Sequence, residues 1–306
     1  MKAVYIEQYG GPEVLKYGDL PDPVAGPGEV AVDVVAASVN GADWKVRVGA
    51  YGYTKFPLGL GRDFSGTISA VGEGVTDFKV GDEVFGVLDQ GQEGAYAEKL
   101  VIKAAIVAKK PAALSHVNAA ALALTGLTAV ISVEDTLKLQ PGETILIQGG
   151  AGGVASFAIQ LAKQIGARVI TTTSTANVDY VRGLGADQVI DYTKQDFSKV
   201  VSDVDAVFET VGGDVAQKSF SVVKSGGRAA FIASGPQAPA SPRSDVASLR
   251  PAVKRSRRHL ERIAQLVETG AVKPPATKLY PLPQAGEALR VSESRHFKGK
   301  LLFQVR

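Results

Sequence analysis

The residues best suited to chemistry lie in one short stretch, Thr144 to Ala155. Thr144–Gln148 is a β-branched run of the kind that forms a buried strand, Pro141-Gly142 sets a turn before it, and glycines follow at once. Val154, Phe157, Ala158, Leu161 and Ile165 then recur at helical spacing, and Gly166 stands where a helix takes a left-handed residue. A further strand at Arg168–Ile170 completes a β-α-β unit. Gly150-x-Gly152-x-x-Ala155 fits the dinucleotide fingerprint, whose last position admits alanine. A pyrophosphate rests against the amides of a helix N-terminus only if no side chain blocks its approach. On this reading Gly150 permits the tight turn, Gly152 the close approach and Ala155 the near contact of helix with strand. Gly150, Ala151, Gly152, Gly153 and Val154 are the expected phosphate-binding residues.

The second strand ends at Thr173 and Ser174. An NAD site places Asp or Glu about 20 residues beyond the first glycine, bonded to the ribose 2′-hydroxyl. Here no carboxylate repels a 2′-phosphate, hydroxyls are placed to donate to one, and Arg182 on the following helix adds charge. NADPH is expected over NADH. The bland alternative is that the threonines are merely strand formers.

These residues need elements to position them. With 306 residues, 45% hydrophobic and 21% charged, the chain has the composition of a globular protein long enough for two domains. A net charge of +3 does not by itself imply nucleic acid. The absence of cysteine excludes disulfides, thiolate catalysis and cysteine-ligated zinc, and His116, His259 and His296 have no metal-ligand spacing. The chain begins like a strand rather than a signal peptide, and no apolar run is read as reaching membrane-spanning length; the expected location is the cytoplasm.

From Met1 to about Lys110, short apolar strands (Val30–Ala37, Gly66–Val75, Val80–Gly86, Ala95–Ile102) punctuated by glycine and proline predict a compact antiparallel barrel. An alanine- and leucine-rich helix around 118–130 connects to a second domain. There, strands at Gln188–Tyr192, Asp205–Glu209 and Gly227–Ala233 alternate with helices near 178–184 and 213–223, as in a doubly wound parallel sheet. Ser234–Pro251 reads as a long loop. Leu260, Ile263, Leu266 and Val267 form one face of a helix ended by Gly270. Lys278–Arg306 reads as short strands, the last of them, Lys300–Val305, pairing back onto the first domain.

The motifs Gly61-Arg-Asp-Phe-Ser-Gly-Thr-Ile-Ser-Ala-Val-Gly, Phe78-Lys-Val-Gly-Asp-Glu-Val-Phe-Gly, Leu124-Thr-Gly-Leu-Thr-Ala, Gln148-Gly-Gly-Ala-Gly-Gly-Val-Ala, Leu184-Gly-Ala-Asp-Gln-Val-Ile-Asp-Tyr and Gly299-Lys-Leu-Leu span nearly the whole chain. Together they resemble the zinc-free, zeta-crystallin-like quinone oxidoreductases of the medium-chain dehydrogenase/reductase superfamily. The resemblance implies an α/β protein in which a GroES-like β-barrel catalytic domain, residues 1–118 and 278–306, flanks a Rossmann NADPH-binding domain, residues 119–277. Zinc-dependent relatives carry cysteine where this chain has Asn40, His-Glu where it has Arg62-Asp63, and a four-cysteine lobe that is missing between Leu88 and Tyr96. Catalysis is then expected to rest on aligning NADPH with an electron-poor acceptor and on hydrogen bonds to the acceptor oxygen.

Carried over by position, the resemblance implies that Thr128 and Phe297 lie near the nicotinamide. Ser174 and Tyr192 would meet the 2′-phosphate, and Thr210, Val211, Ile232, Ala233 and Ser234 would line the groove. Many members have lysine where this chain has Asn177. Tyr51 matches a family tyrosine near substrate; its phenol is a hydrogen-bond donor to a quinone oxygen or a loop aromatic. Asn40 and Asp43 equally bond the acceptor or order a polar turn, and Arg62 beside Asp63 equally forms a structural ion pair. Lys254–His259 is either a nucleic-acid patch or the solvated start of a helix. The expected activity is NADPH-dependent quinone reduction; alternatives are C=C reduction of α,β-unsaturated ketones or aldehydes, and NADPH or RNA binding without turnover. A homodimer joined through the outer strand of the Rossmann sheet near Phe231 is implied by the family.

Overall fold

A computed structural model describes residues 1–306, which divide into two compact units. One unit comprises residues 1–124, 254–268 and 274–306; the other comprises 125–253 and 269–273.

In chain order the first unit contains β1 (Lys2–Ile6), β2 (Lys16–Asp19), β3 (Glu29–Ser38), α1 (Asp43–Arg47), β4 (Leu58–Gly59), β5 (Asp63–Val71), β6 (Glu83–Val87), β7 (Lys99–Lys103) and β8 (Val107–Lys109), after which α2 (His116–Val130) begins. The long strand β3 is its axis. It pairs antiparallel with β5 and β7, and two irregularities against β5, at Ala31/Val32 and Val34/Ala36, bend it. The C-terminal part of the chain returns here, as the sequence predicts, through α6 (Arg257–Glu268), β15 (Thr277–Pro281), α7 (Ala285–Ser294) and β16 (Lys300–Gln304). Strand β16 pairs antiparallel with β3, setting Phe303 opposite Ala37. The result is a seven-stranded sheet, with β1, β2 and β4 forming a three-stranded one. Tyr96 and Phe303 meet edge to face at 4.6 Å in the core.

The second unit carries β9 (Thr144–Ile147), α3 (Gly153–Ile165), β10 (Arg168–Thr173), α4 (Val178–Gly183), β11 (Gln188–Asp191), β12 (Val204–Glu209), α5 (Asp214–Ser219), β13 (Val223–Phe231) and β14 (Ala247–Leu249). The strand order β11-β10-β9-β12-β13-β14, parallel throughout, is that of a doubly wound dinucleotide-binding sheet. Its middle strand β9 is fully buried at Ile145, Leu146 and Ile147, which is why the sequence there is an unbroken apolar run. Strand order reverses between β9 and β12, and the glycine turn follows β9 at that reversal.

Five expectations need correction. Lys278–Arg306 is not only strands: Ala285, Ala288, Leu289 and Ser292 recur at helical spacing and are the buried face of α7. The stretch Ser234–Pro251 is not all loop, because β14 forms within it and pairs with β13. Phe231 is therefore buried on a strand that is not the outermost, and the edge of the sheet is β14. Residues 116–136 form one continuous apolar helix of 21 residues, long enough to cross a membrane, yet 78% of its apolar window is buried within the protein, as in a core helix. Finally α6 belongs with the first unit rather than with residues 119–277. Arg257 explains this, donating to the carbonyls of Ala104 and Val107 and pairing with Asp77.

Candidate functional site

In the second unit the turn between β9 and α3 is pinned by side chains from the next strand. Thr171 Oγ1 donates to the Ile147 carbonyl at 2.7 Å, Thr172 Oγ1 donates to Gln148 Oε1 at 2.6 Å, and the Gly149 amide donates to Thr172 Oγ1 at 3.1 Å. Thr210 Oγ1 reaches the Gln148 carbonyl at 2.8 Å from β12. The glycine roles differ from the sequence expectation. The left-handed turn is made by Gly149, at φ +71°, not by Gly150. Gly150 is the packing glycine: a Cβ there would lie 2.3 Å from Thr171 Oγ1. Gly152 is the open one, because a Cβ would meet only the Gly149 carbonyl oxygen, at 3.3 Å.

Gly152 is also the N-cap of α3, and no side chain caps that helix. The first amides of a helix have no intrahelical acceptor. Here they start a 13-residue helix beside Gly152, Gly153 and Val154, with the positive end of the helix dipole behind them. Ala155 is buried against the sheet, as the close helix–strand contact requires. Such a site fits the pyrophosphate of a dinucleotide, and Ala151, itself buried, completes the turn.

The other nucleotide-site residues separate into three kinds. Ser174 and Tyr192 follow directly on the parallel neighbours β10 and β11, where the Tyr192 amide bonds the Thr173 carbonyl at 3.0 Å and the Tyr192 ring is exposed. Asn177, in place of the family lysine, donates to Ser174 Oγ at 3.1 Å and so orients that hydroxyl. Thr173 itself is buried, which removes its side chain from the expected 2′-phosphate contact. Arg182 pairs with Asp179 at 3.0 Å on its own helix, not with Ser174. Thr210 and Val211 lie in a loop held by a residue the sequence reading passed over. The buried carboxylate Glu209 accepts from the Val211 amide at 2.6 Å and the Gly212 amide at 2.8 Å, and burial pushes its pKa up. An acidic residue ending an apolar strand was the available signal. Ile232 bonds the Glu209 carbonyl through its amide, Ala233 follows half-buried, and Ser234 Oγ is buried without a partner. Thr128 is buried on α2. Phe297 belongs to the first unit, half-buried against its core.

In the first unit the candidate catalytic residues meet a dense set of ionisable groups. Asp43 begins α1 and is wholly buried, its Oδ2 accepting from the Asn40 amide at 2.8 Å and from the Tyr96 hydroxyl. It therefore orders the turn after β3, the second of its two expected roles, and being wholly buried is not placed to touch an acceptor. Burial pushes its carboxyl up to about 6, against the pull of Arg62. Asn40 Oδ1 accepts from the buried Lys300 ammonium at 2.7 Å. Burial lowers the pKa of Lys300 despite Asp63 and Asp43, and burial raises that of Asp63. Tyr51 is 48% exposed, stacks on Tyr53 at 6.5 Å, and lies 4.8 Å from the Arg62 guanidinium carbon.

Arg62 is not paired with its neighbour Asp63, which takes Ser38 Oγ at 2.7 Å instead. Its Nε donates to Glu93 Oε1 at 2.6 Å, and the Tyr53 hydroxyl donates to the same oxygen at 3.2 Å. Burial pushes the Glu93 carboxyl up to about 7, opposed by Arg62 and reinforced by Asp43. Glu93 went unnoticed in the sequence because it sits in a glycine-rich turn remote from Arg62 in the chain.

The basic run Lys254–His259 is not a free patch. Arg255 Nε bonds the Leu88 carbonyl at 2.9 Å, and Arg257 makes the ties already given and lies over the Phe78 ring at 4.9 Å. His116 is likewise internal, between Ser65 Oγ at 2.8 Å and Glu83 at 3.1 Å, with its pKa lowered by burial.

Comparison with known proteins agrees with this geometry. Residues 26–112 match the alcohol dehydrogenase GroES-like domain, and residues 184–302 match the zinc-binding dehydrogenase family. The chain is 33% identical, over 99% of its length and 79% of the relative's, to an Arabidopsis thaliana chloroplastic NADPH-dependent alkenal/one oxidoreductase. Its fold superposes on the quinone oxidoreductase of Coxiella burnetii with a TM-score of 0.92, at 33% identity and covering 100% and 99% of the two chains. The Escherichia coli quinone oxidoreductase, solved in complex with NADPH, gives 0.91 at 29% identity, with both chains wholly covered.

Proposed function

Because the chain belongs to the quinone oxidoreductase-type, zinc-free medium-chain dehydrogenases/reductases, we propose that it is an NADPH-dependent reductase of quinones. The observation that carries the cofactor half of this reading is the turn at Gly152, where an uncapped helix start is left open by the missing side chain. Gly152, Gly153 and Val154 hold the pyrophosphate through main-chain amides. Ser174, oriented by Asn177, and the exposed Tyr192 receive the 2′-phosphate. Bound NADPH supplies the hydride. The protein contributes alignment and donors aimed at the acceptor oxygen as negative charge develops there. The exposed phenol of Tyr51 is such a donor, whereas Asn40 is half-buried, its Oδ1 taking the Lys300 ammonium and its Nδ2 donating to the Ser38 carbonyl.

A second reading, reduction of the C=C bond of α,β-unsaturated ketones and aldehydes, is favoured by the likeness to the Arabidopsis alkenal/one oxidoreductase. NADPH oxidation followed with 9,10-phenanthrenequinone and with 3-penten-2-one separates the two. Consumption of neither, with NADPH still bound, would leave a nucleotide-binding protein without turnover. We further propose a homodimer formed through the free edge of β14; analytical ultracentrifugation with Ser248→Pro tests it, the expected outcome being a monomer.

A further inference from the structure

We propose that Arg62 is the electrophilic residue of the reduction, its guanidinium fork receiving the acceptor oxygen beside the ring of Tyr51, and that Glu93 is the positioning residue that fixes it. The inference rests on the reductase reading and names the group in the first unit that meets the substrate.

Three observations carry it. First, Glu93 binds the guanidinium through Nε, at 2.6 Å, and the fork's other neighbour is the Tyr53 phenol, so the carboxylate does not span both faces of the donor set. Arginine–carboxylate pairs are frequently bidentate, as Arg228 is with Glu143. Second, the side chain of Glu93 is fully buried while that of Arg62 keeps 12% of its surface open. The guanidinium is thus anchored to a buried carboxylate, and the exposed Tyr51 ring stands 4.8 Å from its central carbon. Third, Glu93 Oε2 is buried without a partner, and so are Asp43 Oδ1 and Asp63 Oδ1. Buried polar atoms without a partner are costly, and here three of them belong to the carboxylates grouped around Arg62. Around Glu93 stand Arg62, Asp43, Tyr53, Tyr96 and Arg255, and of the two guanidinium groups only Arg62 donates to Glu93 itself.

The chemistry follows. When hydride adds to the conjugated carbon of an enone, the π pair moves to oxygen and an enolate forms. In a quinone the same two-electron reduction leaves a hydroquinone monoanion. A planar, permanently charged fork stabilises either oxyanion with two N–H donors and stays protonated throughout. Burial works to lower the Arg62 pKa, but Glu93 and Asp43 outweigh it and hold it up. Water then supplies the proton that gives saturated ketone or hydroquinone.

The test compares the full-length wild type with Arg62→Lys and with the charge-neutral pair Arg62→Gln/Glu93→Gln, following NADPH oxidation with 9,10-phenanthrenequinone and 3-penten-2-one. Thermal melting and the NADPH dissociation constant are recorded in parallel. Loss of one oxyanion donor costs about 100- to 1,000-fold in turnover. The paired variant should therefore fold, bind NADPH within about twofold of wild type, and lose at least about 100-fold in kcat/KM, chiefly in kcat. If it is folded and turns over within about threefold of wild type, Arg62 has no such role. Should the pair fail to fold, Arg62→Lys decides: lysine keeps a charge beside Glu93 but has no fork, and a loss below about twofold overturns the proposal. No wild-type turnover with either acceptor would sink the reductase reading itself, and Arg62's role with it. For Glu93, Glu93→Gln alone should flatten any change of kcat/KM around pH 7 while leaving NADPH affinity unchanged; an unaltered pH profile removes its positioning role.

Discussion

The two units solve opposite problems of recognition. At the β9–α3 turn the second unit works by omission: Gly152 leaves amides uncovered, and the neighbouring threonines spend their hydroxyls holding the main chain in place. In the first unit the surroundings of Arg62 work by accumulation. Asp43, Asp63, Glu93, Arg62 and Lys300 are drawn out of water together, and three carboxylate oxygens remain without partners. Glycine turns recognise a constant ligand, the pyrophosphate, through the constant backbone. A cluster of charges suits an acceptor whose charge changes during reaction, because its side chains can be poised against that change.

The contrast can be broken from either side. Removing Arg62 alone, as in Arg62→Met, leaves Glu93 and Asp43 buried without their counter-charge. That should destabilise the first unit by about 3 kcal/mol or more, read as a lowered denaturation midpoint. A smaller shift would mean that the carboxylates are satisfied by protonation alone.

On the other side, Gly152→Val should weaken NADPH by about 100-fold, since one or two charge-assisted hydrogen bonds of roughly 1.5–3 kcal/mol each are obstructed, with the melting temperature nearly unchanged. Gly150→Ala should do the reverse, destabilising the turn through its clash with Thr171, and fluorescence titration beside a melt distinguishes the two.

A pH experiment isolates the charge cluster. The folded-state pKa of Glu93 is raised from 4.5 to about 7, so the unfolded chain ionises first and its advantage grows as pH rises between those values. Stability from the neutral Glu93 carboxyl is fully present below pH 4.5 and is lost as pH rises through about 7. His116, with its pKa lowered, acts in the opposite sense, so the comparison must be wild type against Glu93→Gln. The Gln variant should gain on the wild type from pH 5 to pH 8, and parallel curves would remove Glu93 from the account.

The smallest expected effect is at the 2′-phosphate. Ser174→Ala should reduce the preference for NADPH over NADH by about 1 kcal/mol, several-fold in the ratio of dissociation constants. Arg182→Ala should leave that ratio unchanged, because its charge is already met by Asp179 at the surface.

Much of this molecule is legible in its residues. The apolar run at Ile145–Ile147, the glycines after it and the 3.6-residue spacing of Phe157, Ala158 and Leu161 specify strand, turn and helix through interactions within a few residues. The alternation of such strands and helices makes a doubly wound parallel sheet with its cofactor turn legible too, while the order of its strands is set by packing. What escaped was whatever depends on distant partners. Gly149 rather than Gly150 makes the left-handed turn, and Gly150 is held close by Thr171, which arrives from β10. Ala247–Leu249 reads as loop until β13 offers it an edge. Asp43 looks like a polar turn residue open to substrate until Tyr96 closes over it, and the partner of Arg62 is Glu93 rather than the adjacent Asp63. Local backbone preference is written in the sequence itself. Which ionisable groups are desolvated, and against whom, is fixed only when strands far apart in the chain pack together, and that decides their chemistry.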